Sequence, residues 1–255
     1  HCLGLAYDDE FCIDMEQHLA SRGVTIRTGC KVKEVAGKER AETVVLDSGE
    51  TLDADMVVLG IGAVANVDLA HKAGLHIGLS GSIAVDRTMM TSDPNIFACG
   101  DCAEKISFFG GDRSPLKLAS IATLEARIAG ANLYGLRREN PGTVGVWSTA
   151  VGDLALGTAG LTEALAEQRR YQTVAATMEG PNRHPGGMPG AANLKLKLVF
   201  ERHSGVLLGG QVEGDATAGE VINAISACVQ SRMTAEQIAL FQLGTHPALT
   251  ASPIA

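Results

Sequence analysis

The chain has 255 residues, of which 45% are hydrophobic and 20% are charged, and its formal net charge is −8. This composition is that of a globular protein with one large domain or two modest ones, and it excludes an intrinsically disordered chain. A negative charge without a cluster of lysines and arginines argues against nucleic acids and anionic membranes as partners. The apolar runs fall short of the roughly 20 residues that a membrane-spanning helix needs.

Cysteine content and the first residue bear on the cellular setting. Six cysteines in a chain of this length do not form a secreted disulfide scaffold, and they favour a reducing compartment, so we expect a cytoplasmic protein. The sequence begins at His1 with no signal-peptide pattern. We therefore expect that the chain is part of a longer protein.

The first part of the chain alternates helix and strand patterns, which favours an α/β fold. Phe11, Met15 and Leu19 recur at helical spacing, and Gly23 can supply the left-handed stop of this helix. The strand that ends at Gly62 is continuously apolar over 56–61, which predicts a strand covered on both faces. The predicted elements are a helix at 10–23, strands at 24–35, 42–49 and 50–62, a short helix at 66–74, short strands at 81–86 and 95–101, and a helix at 115–135.

The texture of the sequence changes near residue 143. Strand patterns joined by turns dominate, with one short helix between them and two helices at the end, which predicts an α+β module. The predicted strands lie within 144–160, 170–179, 194–202 and 205–214, and the helices at 161–168, 217–232 and 234–241.

The segment NIFACGDCAE carries several possible chemistries. Cys99 and Cys102 have the spacing of a redox dithiol or of half a zinc site. A second pair of ligands for zinc is missing, and the intervening Asp101 would raise a thiol pKa rather than lower it, so both cysteines are predicted to be packed residues. Gly100 and Asp101 follow an apolar run, where a backbone can approach a ligand and a carboxylate can bind sugar-like hydroxyls. A capping aspartate after a strand is the simpler alternative.

The longer stretch TSDPNIFACGD resembles the second flavin-binding motif of the FAD-dependent pyridine nucleotide–disulfide oxidoreductases, Thr-x(4)-Ile-Phe-Ala-x-Gly-Asp. Thr91, the Ile-Phe-Ala run at 96–98, Gly100 and Asp101 match it in register. In that family the aspartate holds the ribityl hydroxyls of FAD. The resemblance therefore implies the same role for Asp101.

Two further segments are similar to parts of that family in the same order. The run 53–75 resembles the return from the NAD domain to the FAD domain, where Gly62 and Asn66 match the usual Gly-x-x-Pro-Asn pattern and Ala65 replaces its proline. The helix at 115–135 resembles the one whose start faces the flavin. The resemblance implies that backbone amides near Lys117, Leu118 and Ala119 contact the flavin, where a helix N-terminus favours its reduced state. An ordinary core helix is the alternative.

The end of the chain is similar to the family's dimerisation domain and its active-site tail. His246 and Pro247 match the His-Pro of the disulfide reductases, but no glutamate follows to orient the histidine. The resemblance implies that His246 is a catalytic acid or base, and a surface residue on a terminal tail is the alternative. Apolar strands and helices with few charges in this module predict a homodimer.

Two motifs of the family are missing. The chain contains no GxGxxG that follows a strand, and no cysteine, Cys2 included, stands in the family's redox-active context. The resemblance therefore covers only the second half of the family's usual length. It implies the second half of an NAD(P)H-binding domain at 1–65, the second half of an FAD-binding domain at 66–142, and a dimerisation domain at 143–255.

The resulting prediction is an FAD-dependent NAD(P)H oxidoreductase that passes electrons to a small-molecule acceptor. The acceptor would be a disulfide, persulfide, peroxide or oxygen, and the tail without glutamate favours the coenzyme A-disulfide reductase and NADH oxidase branch. A ferredoxin- or rubredoxin-type reductase is a second reading, against which the His-Pro tail argues. A flavin-free dimerisation fragment without activity is a third.

Overall fold

The computed structural model describes residues 1–244, 246 and 250. The helices are α1 (Asp9–Ser21), α2 (Asp68–Lys72), α3 (Ala119–Asn132), α4 (Glu163–Gln168), α5 (Ala218–Gln230) and α6 (Ala235–Ala239). The strands are β1 (Val32–Ala36), β2 (Thr43–Leu46), β3 (Thr51–Asp53), β4 (Lys105–Ile106), β5 (Arg113–Ser114), β6 (Val146–Val151), β7 (Leu154–Gly160), β8 (Thr173–Pro181), β9 (Asn193–Glu201) and β10 (Leu207–Gly214). No helix in this described part is long and apolar enough to cross a bilayer.

The first 66 residues form one helix and a small antiparallel sheet. The helix predicted at 10–23 is confirmed as α1, which buries Phe11 and Met15. β1, β2 and β3 pair in sequence order, with Val35 opposite Val44 and Val44 opposite Leu52. The predicted strand at 24–35 is wrong before Val32, because that part of the chain pairs with no strand among the described residues.

The predicted buried strand that ends at Gly62 is also wrong beyond Asp53. Met56, Val58 and Ile61 are exposed by 80 to 88%, and 55–66 pair with no strand in the described part of the chain. A strand needs a neighbour for its amides and carbonyls, and an apolar run alone does not supply one. The segment is therefore irregular in this chain.

The middle region, which contains Gly100 and Asp101, is held by short pairings rather than by a full sheet. The short strands predicted at 81–86 and 95–101 form only single bridges, among them Ile83 with Ala103. A two-stranded hairpin, β4 and β5, lies between Asp101 and α3 in the chain. α3 covers this region, and its Ile128 and Ala129 form a cluster with Val85, Met89 and Ala103.

The last part of the chain is built on a five-stranded antiparallel sheet with the order β6-β7-β10-β9-β8. All the strands and helices predicted after residue 143 are present. α5 crosses β7 and β10 on one face of the sheet. Gly157 permits this close approach, because a Cβ there would lie 2.7 Å from the Cβ of Ile222. The core between sheet and helices includes Ala159, Leu194, Val199, Val212, Ile222 and Val229.

The opposite face of the same sheet is covered by α1 and α4. Phe11 and Met15 of α1 pack with Leu156 of β7. Asp8, just before α1, bonds to Gln211 of β10, which is also buried. The start of the chain is therefore packed against the sheet that its end forms.

Candidate functional site

The Gly100–Asp101 turn leaves the Asp101 carboxylate accessible. Gly100 has a φ of +79°, a backbone conformation that glycine adopts without strain. Asp101 is exposed, and no described residue forms a hydrogen bond or an ion pair with its side chain. This carboxylate is therefore not the capping group of a helix or strand. It is free to accept hydrogen bonds from a ligand.

The first turn of α3 lies beside this turn. A Cβ on Gly100 would be 3.7 Å from the Cβ of Ala122, one turn into the helix. α3 begins at Ala119 with Leu118 as its N-cap, and no side chain caps its first amides. Uncapped amides at a helix N-terminus present partial positive charge to a ligand. The helix predicted at 115–135 therefore begins four residues later than expected, and of Lys117, Leu118 and Ala119 only Ala119 belongs to it.

A buried ion pair that sequence reasoning did not predict holds the Gly100–Asp101 turn. Lys105 Nζ lies 3.0 Å from Glu125 Oε2, and the two side chains are only 3% and 0% exposed. Glu125 Oε2 also accepts the Gly100 amide at 2.8 Å. Burial raises the pKa of Glu125, while Lys105 and the Gly100 amide act in the opposite direction. The two charged residues therefore sit directly under the candidate ligand-binding turn.

Cys99, just before the turn, is not an activated thiol. Burial raises the pKa of Cys99, and the nearby Glu125 carboxylate and Cys102 raise it further. The Cys102 thiol donates a weak hydrogen bond to the Cys99 carbonyl at 3.5 Å. A redox-active thiol needs the opposite shift, so this arrangement agrees with packed cysteines.

The other predicted site residues, Lys117, Gly62 and His246, lie in three different environments. Lys117 is half-buried just before α3. Gly62 is exposed with a φ of +87°, and the space around it is open. His246 is exposed, its amide bonds to Thr250 Oγ1 at 3.0 Å, and Thr250 lines a groove beside α5 and α6. Pro247 lies outside the described residues.

A second charged cluster joins α1 to the five-stranded sheet. Lys197 of β9 is 7% exposed and contacts three carboxylates: Asp8 at 3.0 Å, Glu10 at 2.7 Å and Glu163 at 2.8 Å. Burial by itself raises the pKa of Asp8, but hydrogen bonds from Lys197, Gln211 and two backbone amides of α4 outweigh it and hold that pKa below its usual range. We name these four charged residues the Lys197 cluster.

Two family models match the chain. Residues 1–126 match the model described as pyridine nucleotide-disulphide oxidoreductase, and residues 146–253 match the dimerisation domain of the same group. Together the matches include the Gly100–Asp101 turn, most of α3 and the five-stranded sheet.

Curated relatives point to the same group. An NADH oxidase of Methanocaldococcus jannaschii is 30% identical over 91% of this chain and 51% of its own length. An NAD(P)H sulfur oxidoreductase (CoA-dependent) of Pyrococcus furiosus is 32% identical over 94% of this chain and 54% of its own length. The chain therefore spans about half the length of the curated relatives it matches.

Solved structures agree with the fold. An NAD-dependent persulfide reductase from A. fulgidus superposes with a TM-score of 0.88 and 31% identity, over 96% of this chain and 46% of that one. A water-forming NADH oxidase from Lactobacillus brevis superposes with a TM-score of 0.86 and 26% identity, over 95% of this chain and 53% of that one. The α/β architecture followed by an α+β module is thus the architecture of these structures.

Proposed function

We propose, from the premise that the chain belongs to the pyridine nucleotide-disulphide oxidoreductase family, that it is the flavin-holding and dimer-forming part of an FAD-dependent NAD(P)H oxidoreductase. One observation carries this proposal most directly. The Asp101 carboxylate is exposed and unpaired at a fixed glycine turn, next to the uncapped start of α3. A carboxylate and a helix N-terminus side by side suit a ligand with both hydroxyls and an electron-rich ring.

Each residue of this site has a stated part in holding the flavin. Asp101 accepts hydrogen bonds from the ribityl hydroxyls, and Gly100 lets the backbone come close to the cofactor. The amides around Lys117, Leu118 and Ala119 would contact the flavin ring, and their partial positive charge would favour its reduced state. When bound, FAD supplies the two-electron chemistry between NAD(P)H and the acceptor.

The other parts of the chain take supporting roles in this proposal. Residues 1–65 complete an NAD(P)H-binding domain, and Gly62 lies where the chain returns from it to the FAD-binding domain. Residues 66–142 complete that FAD-binding domain, and residues 143–255 form the dimer interface. The acceptor is a small molecule: a disulfide, persulfide, peroxide or oxygen. Relatives named NADH oxidase and persulfide reductase support this range of acceptors.

His246 is proposed as the acid or base that serves the acceptor. The His246 amide donates to Thr250 Oγ1, and Thr250 lines the groove beside α5 and α6, which suits a group that reaches the flavin site of the second subunit. A histidine side chain can both donate and accept a proton, as a group in this role must. All six cysteines are free, which supports a reducing, cytoplasmic setting.

The direct test of the proposed function is Asp101→Ala in the full-length protein, isolated with its flavin. Loss of the hydrogen bonds that this carboxylate accepts is expected to speed flavin dissociation by about 10- to 100-fold, because bonds to a charged group contribute about 1.5–3 kcal/mol. Flavin release is followed by the recovery of FAD fluorescence after dilution.

The control for this test is Asp53→Ala, since Asp53 is also exposed and lies on β3, outside the flavin-binding part of the chain. It is expected to leave flavin release unchanged. If Asp101→Ala released flavin no faster than this control, the role of Asp101 and with it the proposed function would be wrong.

A dimer is the second expectation for the proposed protein. Leu240, Phe241 and Leu243 are exposed next to an apolar groove of about 400 Å³ that α5 and α6 border. Apolar surface of this kind is typical of an interface between subunits. Sedimentation at micromolar concentration should give twice the mass of one chain, and Phe241→Asp should shift it to the monomer. Leu79→Asp, at an exposed site outside this module, should remain dimeric.

A further inference from the structure

We propose that the Lys105–Glu125 ion pair is the positioning element of the flavin site: it fixes the Gly100 peptide from both sides and so sets the direction of the Asp101 carboxylate. This inference rests on the proposed function. Glu125 accepts the Gly100 amide, and Lys105 donates to the Gly100 carbonyl. Both hydrogen-bonding groups of the glycine are thus held by one buried pair.

The bonds of Lys105 show that it acts through the turn rather than on the ligand. Its ammonium donates to the carbonyls of Gly100 and Ala103 and to Glu125 Oε2. A lysine has three N–H donors, so these three bonds occupy all of them. The side chain is also 3% exposed. Lys105 is therefore a positioning residue, with no donor left for the flavin.

The hydrogen bonding of the two Glu125 carboxylate oxygens argues against a role in stability alone. Oε2 accepts both the amide and the ammonium, whereas Oε1 is buried and has no hydrogen-bond partner in the described part of the chain. Leaving one oxygen unsatisfied is unfavourable, and well-packed apolar residues stabilise such positions as well as a buried ion pair does. What apolar residues cannot do is bond the amide and the carbonyl of Gly100.

The consequence for Asp101 follows from the glycine before it. Glycine has the widest range of backbone conformations, and Gly100 stands at a φ of +79°. The Ala103 amide also donates to the Gly100 carbonyl at 3.0 Å, but among the described residues the Gly100 amide is held by Glu125. Without the pair, the turn would sample several conformations, and only one directs the carboxylate as observed. Apparent affinity falls in proportion to the population of the competent conformation.

The test is the double variant Lys105→Met/Glu125→Leu in the full-length protein. Because both charges leave together, the melting temperature of the flavin-free protein is expected to stay close to that of the wild type. The apparent Kd for FAD is expected to rise about tenfold, the change that corresponds to a competent population of about one tenth. Because affinity changes at one site lie mostly in the dissociation rate, flavin dissociation is expected to become about tenfold faster. The two readouts separate positioning from stability.

Two matched variants sharpen this test. Glu125→Gln keeps an oxygen that can accept the Gly100 amide, and it is expected to release flavin within about twofold of the wild-type rate, since the acceptor rather than the charge holds the turn. Lys195→Met removes a lysine that pairs with Asp14 far from the turn and is expected to leave flavin release unchanged. Hydrogen exchange at the Gly100 amide, measured without flavin, should be faster in the double variant only.

The outcomes also separate this inference from the proposed function. If Asp101→Ala releases flavin quickly but the double variant releases it at the wild-type rate, the positioning role is wrong and the flavin site stands. If neither variant changes flavin release, the flavin site itself is wrong. If the double variant does not fold, Glu125→Gln is the deciding variant. Flavin release as fast as in Asp101→Ala, together with rapid hydrogen exchange at the Gly100 amide, would contradict the positioning role as stated.

Discussion

Replacing Lys197 with methionine is expected to lower the free energy of unfolding by about 3–5 kcal/mol, the usual loss when one partner of a buried ion pair is removed. The lysine is almost fully buried between β9, the start of α1 and α4, and it is the shared partner of three carboxylates. Methionine keeps the apolar stem of the side chain, so the expected loss comes from the charge and not from a cavity.

The loss of unfolding free energy in Lys197→Met is expected to be smaller at acidic pH than at neutral pH. In the wild type the pKa of Asp8 is held below its usual range, so its contribution is present at neutral pH and disappears as the pH falls through the folded-state pKa. In Lys197→Met the carboxylates of Asp8, Glu10 and Glu163 repel one another without a counter-ion, and the buried Asp8 loses the hydrogen bond from Lys197 that lowers its pKa. Protonation then relieves the repulsion, and the difference between variant and wild type narrows as the pH falls towards 4.

Urea denaturation at pH 7.5 and pH 5 measures both the loss of unfolding free energy and its dependence on pH. Lys33→Met is the matched control, because Lys33 is exposed on β1 and forms no ion pair with a described residue. It should change stability by less than about 0.5 kcal/mol. A loss of under 1 kcal/mol for Lys197→Met at pH 7.5 would show that the Lys197 cluster is not a stabilising contact.

The Lys197 cluster also explains how the two matched regions of the chain stay together. Asp8 belongs to the region of the first family model, and its carboxylate accepts the amides of Glu163 and Ala164 at the start of α4, within the second. The same carboxylate bonds Gln211 and contacts Lys197. One buried aspartate thus caps a helix of the dimerisation module and anchors α1 to its sheet.

The elements that sequence predicts best are those whose pattern is local. α1 and α5 follow from apolar residues at helical spacing, and the strands after residue 143 follow from runs bounded by turn residues. The Gly100–Asp101 turn followed from a motif with fixed register. In each case the information lies within about 20 neighbouring residues.

The elements that sequence misses depend on distant partners. Residues 56–61 have the pattern of a buried strand, yet no described strand pairs with them. Lys195 and Lys197 alternate with leucines, a pattern typical of a solvent-facing edge, but they are covered by α1 and α4. Lys105 and Glu125 are 20 residues apart, and only the folding of α3 onto the turn makes them a pair. Such pairings cannot be read from spacing.

A further group of charged residues lies between α1 and the five-stranded sheet, on the same face of the sheet as the Lys197 cluster. Glu213 of β10 stands opposite Lys195 of β9, which in turn stands opposite Glu179 of β8. Asp14 of α1 bonds Lys195 at 2.5 Å. Lys195 therefore lies beside three carboxylates and forms its ion pair with Asp14. Glu213 Oε2 is buried and has no hydrogen-bond partner among the described residues. Burial, followed by the charge of Asp14, raises the pKa of Glu213 to about 7.

Glu213→Gln is expected to stabilise the protein at pH 8 by about 1–3 kcal/mol and to have little effect at pH 5, given that one pKa unit corresponds to about 1.4 kcal/mol. A carboxyl group whose pKa is raised on folding contributes most below its unfolded-state pKa of 4.5, and the contribution is lost as the pH rises through about 7. Glutamine has no proton to lose, so the variant escapes this loss. Other titrating groups cancel in the difference between the two proteins.

Denaturation curves of both proteins between pH 5 and pH 8.5 measure this difference directly. Glu201→Gln, at a carboxylate on the same module whose pKa is lowered by hydrogen bonds from Ser204, is the opposite control: it should not become more stabilising as the pH rises. A stability difference for Glu213→Gln that is flat with pH would mean that Glu213 ionises normally in the folded protein. Acidic pH would then not strengthen the packing of α1 on the sheet through Glu213. The positive charge of Lys195 would fully offset the repulsion among Asp14, Glu179 and Glu213.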